Sequence, residues 1–304
     1  MNRILKALGI LLPALAIFYI GSTALANPAL APTADVKILG ASEAEQSELS
    51  NFVSFQVPKP TDEPSVLAAS YLIQNLQTEQ VVAGQQFNNS LPIASLTKLM
   101  TIWTTLEHCN LDEEVLVADV ATNSRISPSL GLVTGDKILV KDLVNSILVG
   151  SANDAASLLG SYVSKKENLP FSELMNQEAA ELGLTNSRFS NPMGFDSVSN
   201  YSSAKDLSKL VMALNQKKIF EPTGHSNNYV FTSVSGNKYS ISATNKLIAQ
   251  YSDLFAVKTG FTNLALGSMI NILRTADQDW LLIVIGSPDR EGDTLRLRTK
   301  VLER

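Results

Sequence analysis

An α/β fold of the segregated α+β kind, an antiparallel sheet flanked by helices with a helical lobe beside it, is predicted by three features of this 304-residue chain. Two β-type runs fall early, over 68–74 and 81–85, segments of helical period fill the middle from Ser95 to Leu214, and further β-type runs crowd into 229–286. Strands close in sequence favour antiparallel pairing, so one sheet is expected to draw members from both ends of the chain around a helical insertion.

The elements follow in order. Arg3 and Lys6 precede an apolar stretch from Leu8 to Ile20 and then Ala24-Leu25-Ala26, the layout of an export signal over residues 1–26 with cleavage after Ala26. Left uncut and extended to Leu25, the apolar run would nearly span a membrane; both readings put the remainder outside the cytoplasm, in the periplasm or on the cell-wall side. Residues 27–64, punctuated by Pro28, Pro32, Pro58, Pro60 and Pro64, read as a Pro/Ala/Ser-rich spacer. One folded domain is expected over 65–304, with its helical lobe at about 110–220.

Within that domain, Ala68–Gln74 and Val81–Gln85 read as strands around a polar turn. Ser95 then opens a central helix, with Leu96, Leu99, Met100, Trp103 and Leu106 at helical spacing. Lys141–Val149, Asn153–Val163, Ser172–Leu182 and Ser203–Leu214 are the further predicted helices. Tyr229–Val234 and Tyr239–Ala243 form a predicted hairpin around Ser235-Gly236-Asn237, followed by strands at Leu254–Lys258, Leu264–Leu273 and Trp280–Gly286. A last helix, Asp293–Leu302, is expected to pack back onto the sheet.

Composition narrows the function. With 45% hydrophobic residues the chain can bury a large core, and a net charge of −5 gives no basic face for nucleic acid. Cys109 is the sole cysteine, so no intramolecular disulfide forms, and it reads as a small buried side chain. His108 and His225 are the only histidines, which argues against a His-rich zinc site; no metal or cofactor is expected.

Three short motifs carry chemistry. S-x-x-K begins at Ser95, Ser202 and Ser235, and S-x-N at Ser151, Ser226 and Ser235, whereas K-T-G occurs once, at Lys258-Thr259-Gly260. A serine hydroxyl is a weak nucleophile at neutral pH and needs a nearby base and a place for the developing oxyanion. Ser95 and Lys98, three apart at a helix start, share one face, and the helix N-terminus aims N–H groups at the reacting centre. Lys98 accepts a proton only when neutral, which requires burial or a neighbouring cation, for which Lys258 is the candidate. Each motif also has a bland reading: Ser95 as a helix cap, Ser151 as the cap of the next helix, Lys258 as a charged strand end. Ser202 adjoins a helix start and Ser235 a hairpin turn, and both are explained that way.

The wider contexts decide. Ile93-Ala94-Ser95-Leu96-Thr97-Lys98-Leu99-Met100-Thr101, Gly150-Ser151-Ala152-Asn153-Asp154-Ala155-Ala156, Asn191-Pro192-Met193-Gly194-Phe195 and Ala256-Val257-Lys258-Thr259-Gly260-Phe261-Thr262 together resemble the serine D-Ala-D-Ala carboxypeptidases, the low-molecular-mass penicillin-binding proteins of the beta-lactamase and DD-peptidase superfamily. The resemblance covers about residues 65–300. It implies a cleft between sheet and helical lobe, and attack by Ser95 on the bond joining two D-alanines of a peptidoglycan stem peptide, with Lys98 as proton acceptor. It further implies that Ser151 relays a proton to the leaving amine and that Asn153 positions Lys98 and binds substrate. Lys258 and Thr259 would engage the terminal carboxylate, Gly260 would permit close backbone approach, and the N–H groups of Ser95 and Phe261 would form the oxyanion hole. Beta-lactams would be covalent inhibitors. A D,D-endopeptidase opening crosslinks, a serine beta-lactamase and a non-catalytic wall-binding protein are the alternatives; against the beta-lactamase, Glu173-Leu174-Met175-Asn176 departs from the E-x-x-L-N spacing of its commonest class. The Asn191-Pro192-Met193-Gly194 segment is read as a turn without chemistry. The short stretch after the last helix leaves no room for the C-terminal domain and anchor of many relatives, so a membrane tether is expected only through an uncleaved leader.

Overall fold

Five strands build the main sheet, in the order β2-β1-β11-β10-β9, and every pairing is antiparallel. The computed structural model describes residues 65–118 and 128–304; the leader and spacer expected over 1–64 lie outside them. β1 (Ser70–Asn75) and β2 (Val81–Gln85) come from the N-terminal side, and β9 (Leu254–Thr262), β10 (Leu266–Arg274) and β11 (Asp279–Ser287) from the C-terminal side. β1 pairs with β11 from Ser70↔Ile285 to Asn75↔Trp280, joining the two ends of the domain in one ladder.

Both faces of this sheet are covered, which is why β11 is apolar along its length instead of alternating. Leu281, Ile283 and Ile285 point into the larger core shared with the helices, whereas Leu282 and Val284 pack with Leu297 and Val301 of the C-terminal helix. Full burial of one such side chain contributes roughly 1.5–3 kcal/mol.

The helical middle comprises α1 (Lys98–His108), α2 (Val140–Gly150), α3 (Asn153–Glu167), α4 (Phe171–Glu181) and α5 (Ala204–Gln216), and α6 (Arg290–Leu302) closes the chain. α1 is buried on most sides, including Leu99, Met100, Ile102 and the hydroxyls of Thr101, Thr104 and Thr105, as befits a central helix. α5 shows the amphipathic spacing cleanly: Leu207, Leu210, Val211 and Leu214 are buried, and Ser203 caps the helix by accepting from the backbone N–H of Asp206.

Differences from the sequence reading have local causes. β1 starts at Ser70, two residues later than expected, and α3 runs on to Glu167, where Asn168 takes the left-handed conformation that ends helices. β9 does not stop at Lys258, where its apolar run ends, but continues to Thr262, so all of Lys258, Thr259 and Gly260 lie within the strand. Four short strands were not expected: β3 (Leu91–Pro92) with β6 (Tyr201–Ser202), and β4 (Glu114–Leu116) with β5 (Lys137–Leu139). Runs of two or three residues are too short to show a period. The hairpin of β7 (Asn228–Thr232) and β8 (Lys238–Ser242) stands as expected around its Ser-Gly-Asn turn.

Candidate active site

The serine of the first motif sits in a tight turn ahead of α1 and not in its first α-helical turn. Residues Ala94–Thr97 form a 3-10 helix, and the α-helix begins at Lys98. This correction strengthens the pairing, because side chains three apart eclipse in a 3-10 helix. Ala94, with φ of 47°, occupies the left-handed region just before Ser95, a conformation costing about 1–2 kcal/mol for a non-glycine residue.

Lys98 is fully buried (0% exposed), and its Nζ has three oxygen neighbours: Ser95 Oγ at 2.9 Å, Asn153 Oδ1 at 2.8 Å and the Met193 carbonyl at 2.5 Å. Burial pulls its pKa down from 10.5 to about 7, so a large neutral fraction exists at physiological pH. Of the two causes that the sequence leaves open, burial and a neighbouring cation, burial is the one that acts.

Ser151 and Asn153 arrive at a break between two helices. α2 ends at Gly150, Ser151 caps it in the left-handed conformation (φ 61°), and α3 starts at Asn153. The N-cap of α3 is Ala152, without a side-chain bond, so the capping explanation of Ser151 fails. The Ser151 Oγ is buried and has no hydrogen-bond partner, a costly arrangement for a purely structural serine. Beside it, the Asp154 carboxylate accepts from the backbone N–H groups of Leu130, Gly131 and Leu132 and from Ser129 Oγ, while the Asn153 N–H donates to the Pro128 carbonyl. Segment 128–132 is thereby pinned against the second motif.

β9 supplies the other wall. Lys258 is 1% exposed, and its Nζ donates to the Thr259 carbonyl at 2.7 Å. Its pKa lies well below the usual lysine value, first through burial and then through the charges of Lys98 and Arg290. The Thr259 hydroxyl pairs with that of Thr244 at 2.6 Å. A β-carbon at Gly260 would lie 3.0 Å from the Ile93 carbonyl and 3.2 Å from the Ser95 nitrogen, so a side chain there requires the serine turn to give by a few tenths of an ångström. Phe261 follows with its side chain 62% exposed.

All eight residues singled out by sequence thus fall along one path, from Ser151 and Asn153 through Lys98 and Ser95 to Lys258, Thr259, Gly260 and Phe261. Sequence reasoning missed several partners. The Asn191-Pro192-Met193-Gly194 segment, read as chemically silent, delivers a carbonyl to Lys98. Arg290, at the start of α6, donates through Nη1 to the Gly260 carbonyl at 2.9 Å, and no motif marks it. Thr244, partner of Thr259, was equally invisible. By contrast Cys109 is buried with its pKa raised to about 11, chiefly by desolvation, and is inert as expected. Among the described residues no His, Cys, Asp and Glu cluster could hold a metal ion. Glu173 is exposed on α4, and the Asn176 carboxamide is engaged by the backbones of Ser172 and Phe189, so neither resembles a water-activating pair at this cleft.

A buried amine on a serine hydroxyl, set where a helical lobe meets the edge strand of an antiparallel sheet, defines the class: a fold of the serine DD-peptidase, penicillin-binding type. Residues 57–289 match the D-alanyl-D-alanine carboxypeptidase family, peptidase S11, and the chain belongs to that family. It is 30% identical over 236 residues to the D-alanyl-D-alanine carboxypeptidase DacF of Bacillus subtilis, covering 75% of this chain and 60% of that protein. It is likewise 30% identical to the carboxypeptidase DacC of Escherichia coli, covering 53% of this chain and 42% of DacC, so it spans less than two thirds of both relatives. The D-alanyl-D-alanine endopeptidase of Escherichia coli is 30% identical over 245 residues, 78% of each chain. In fold, the Streptomyces K15 DD-transpeptidase superposes with a TM-score of 0.71 at 24% identity, covering 79% of this chain and 98% of that one.

Proposed function

We propose that the protein is a serine D,D-peptidase that removes the terminal D-Ala from peptidoglycan stem peptides through a Ser95 acyl-enzyme. The observation that carries this reading is the Lys98 amine, buried, depressed to about 7 and 2.9 Å from the Ser95 hydroxyl. Ser95 Oγ attacks the carbonyl of the penultimate D-Ala while its proton passes to Lys98 Nζ. The buried Ser151 Oγ relays the proton taken up by Lys98 to the leaving amine, which restores both groups, Asn153 holds Lys98 and the substrate backbone, and the Ser95 and Phe261 N–H groups receive the oxyanion. The substrate carboxylate, entering beside Lys258 and the Thr259 hydroxyl, favours the charged form of Lys258 and so opposes the effect of burial. Water then releases the acyl group. Beta-lactams acylate the same serine.

The chain acts outside the cytoplasm, carried by the leader over residues 1–26 and followed by a spacer over 27–64 and the catalytic domain over 65–304. Among the described residues no helix is long and apolar enough to cross a membrane. A D,D-endopeptidase that opens crosslinks is the second reading, supported by the 30% identity over 245 residues to the D-alanyl-D-alanine endopeptidase of Escherichia coli. Product analysis on pentapeptide and crosslinked muropeptides separates the two: free D-Ala from pentapeptide supports the first reading, and crosslink opening without D-Ala release would overturn it in favour of the second. Rapid penicillin turnover in place of a slowly released adduct would point to a beta-lactamase instead.

A further inference from the structure

The turn that delivers a carbonyl to Lys98 is closed by one side chain. Asn191 Oδ1 accepts from the backbone N–H groups of Gly194 (2.8 Å) and Phe195 (3.0 Å), and Asn191 Nδ2 donates to the Phe195 carbonyl (3.1 Å). Gly194 has φ of 83°, and a β-carbon there would stand 2.1 Å from the Ala94 carbonyl oxygen, so the turn is seated on the backbone that leads into Ser95. From the other side Thr101 of α1 donates its hydroxyl to the Pro192 carbonyl at 2.7 Å. The peptide units on both sides of Met193 are therefore held, and its carbonyl ends 2.5 Å from Lys98 Nζ.

A neutral amine offers two N–H donors and one lone pair. Of the three neighbours of Lys98 Nζ, the Asn153 and Met193 oxygens can only accept, whereas the Ser95 hydroxyl can donate. With both carbonyls in place the two N–H bonds are used, and the lone pair is left for the hydroxyl proton. Without the Met193 carbonyl, one N–H is freed to donate to Ser95 Oγ, and amine and hydroxyl meet in the unproductive sense. We propose that Asn191 is a positioning residue which, by closing the 191–195 turn, keeps the Met193 carbonyl on Lys98 and so directs the amine's lone pair to the Ser95 hydroxyl. This inference rests on the acyl-transfer reading above.

It also fixes a sign. A carbonyl stabilises the ammonium more than the amine, so this contact opposes the effect of burial on Lys98, and its loss lowers the lysine's pKa further. The charged group facing Lys98 from β9 is Lys258, with Arg290 of α6 behind it; Asn153 of α3, Met193 of the loop and Ser95 of the serine turn are uncharged.

The test is the rate of acylation by fluorescent penicillin as a function of pH, in the wild type, Asn191→Ala, Asn191→Asp and Thr101→Val, with melting temperatures alongside. Asn191→Ala is expected to acylate at least about tenfold more slowly, part of the 10²–10⁴ that a placed base supplies, with the acid limb moved to lower pH. Asn191→Asp, which keeps the accepting oxygens, recovers most of the rate, and Thr101→Val shows a smaller slowing with the same displacement. Folded Asn191→Ala with the wild-type rate overturns the inference, as does a slowing equal at every pH with the acid limb unmoved, which marks a scaffold role only. If Asn191→Ala does not fold, an unmoved limb in Thr101→Val overturns it. Wild-type protein that takes no label overturns the acyl-transfer reading and this inference together.

Discussion

The two walls of the cleft are made rigid in different ways. On the sheet side, Lys258, Thr259 and Gly260 are consecutive residues of one strand, held by the ladder to β10 at Ile270, Met269 and Ser268. On the lobe side, Ser151 and Asn153 flank a helix break, the Met193 carbonyl comes from a loop, and segment 128–132 hangs on the Asp154 carboxylate. A ladder repeats its bonds, so no single side chain sustains it. The lobe wall depends on individual side chains bonded to backbone groups. The sheet wall should therefore fail when atoms are added at its point of closest approach, and the lobe wall when a single polar group is removed.

Lys98, where the walls meet, gives the largest expected effect. Lys98→Arg keeps a cation that does not deprotonate, and acylation by penicillin should fall by about 10²–10⁴-fold in stopped-flow or gel-labelling assays. Gly260→Ala comes next: its added carbon presses on the backbone at Ile93 and Ser95, and the shift of a few tenths of an ångström should slow acylation by less than the about 10²-fold of a 1 Å misplacement, with the fold retained by circular dichroism. On the other wall, Asp154→Ala strands four donors of residues 129–132, of which the Leu132 N–H is buried and the others partly so, and is expected to cost about 1–3 kcal/mol in denaturant unfolding. If Gly260→Ala unfolds the protein while Asp154→Ala is silent, the contrast between the walls is wrong. The smallest effect falls on Phe261→Ala, whose exposed side chain leaves stability within about 0.5 kcal/mol of wild type.

Buried lysine also links stability to pH. The folded-state pKa of Lys98, about 7, lies below its unfolded value of 10.5, so between these limits the unfolded chain binds more protons than the folded one. Stability contributed by this site therefore rises as pH increases from about 7 towards 10.5, the window set by that shift. Thermal melts of the wild type and Lys98→Met over this range should show the rise flattened in the variant.

The legibility of the two walls in the sequence follows the same division. The strand wall is readable because its three groups are adjacent and follow an apolar run, although the apolar pattern by itself ends at Lys258 and the strand runs on to Thr262. Ser95 and Lys98 were readable because their spacing is local. What escaped were contacts made by backbone atoms or by residues distant in sequence. The Met193 carbonyl has no residue signature, Arg290 reaches Gly260 from a different element, and Thr244 meets Thr259 only after the fold brings them together. The Asn-Pro-Met-Gly turn signal was visible, but a turn signal does not say which carbonyl it aims or at what. The short strands β3 to β6 were hidden for another reason: their pairings are dictated by the lobe around them and not by any period of their own.

In the proposed mechanism Ser95 is the nucleophile and a lysine neutralised by burial is its base. The decisive measurement is the rate of penicillin labelling against pH in the wild-type protein and in Ser95→Ala. The expected result is one label per chain in the wild type, a rate that rises through a midpoint near the Lys98 value of about 7, and no label in Ser95→Ala. Label retained by Ser95→Ala, or a midpoint near the ordinary lysine value of 10.5, would contradict it.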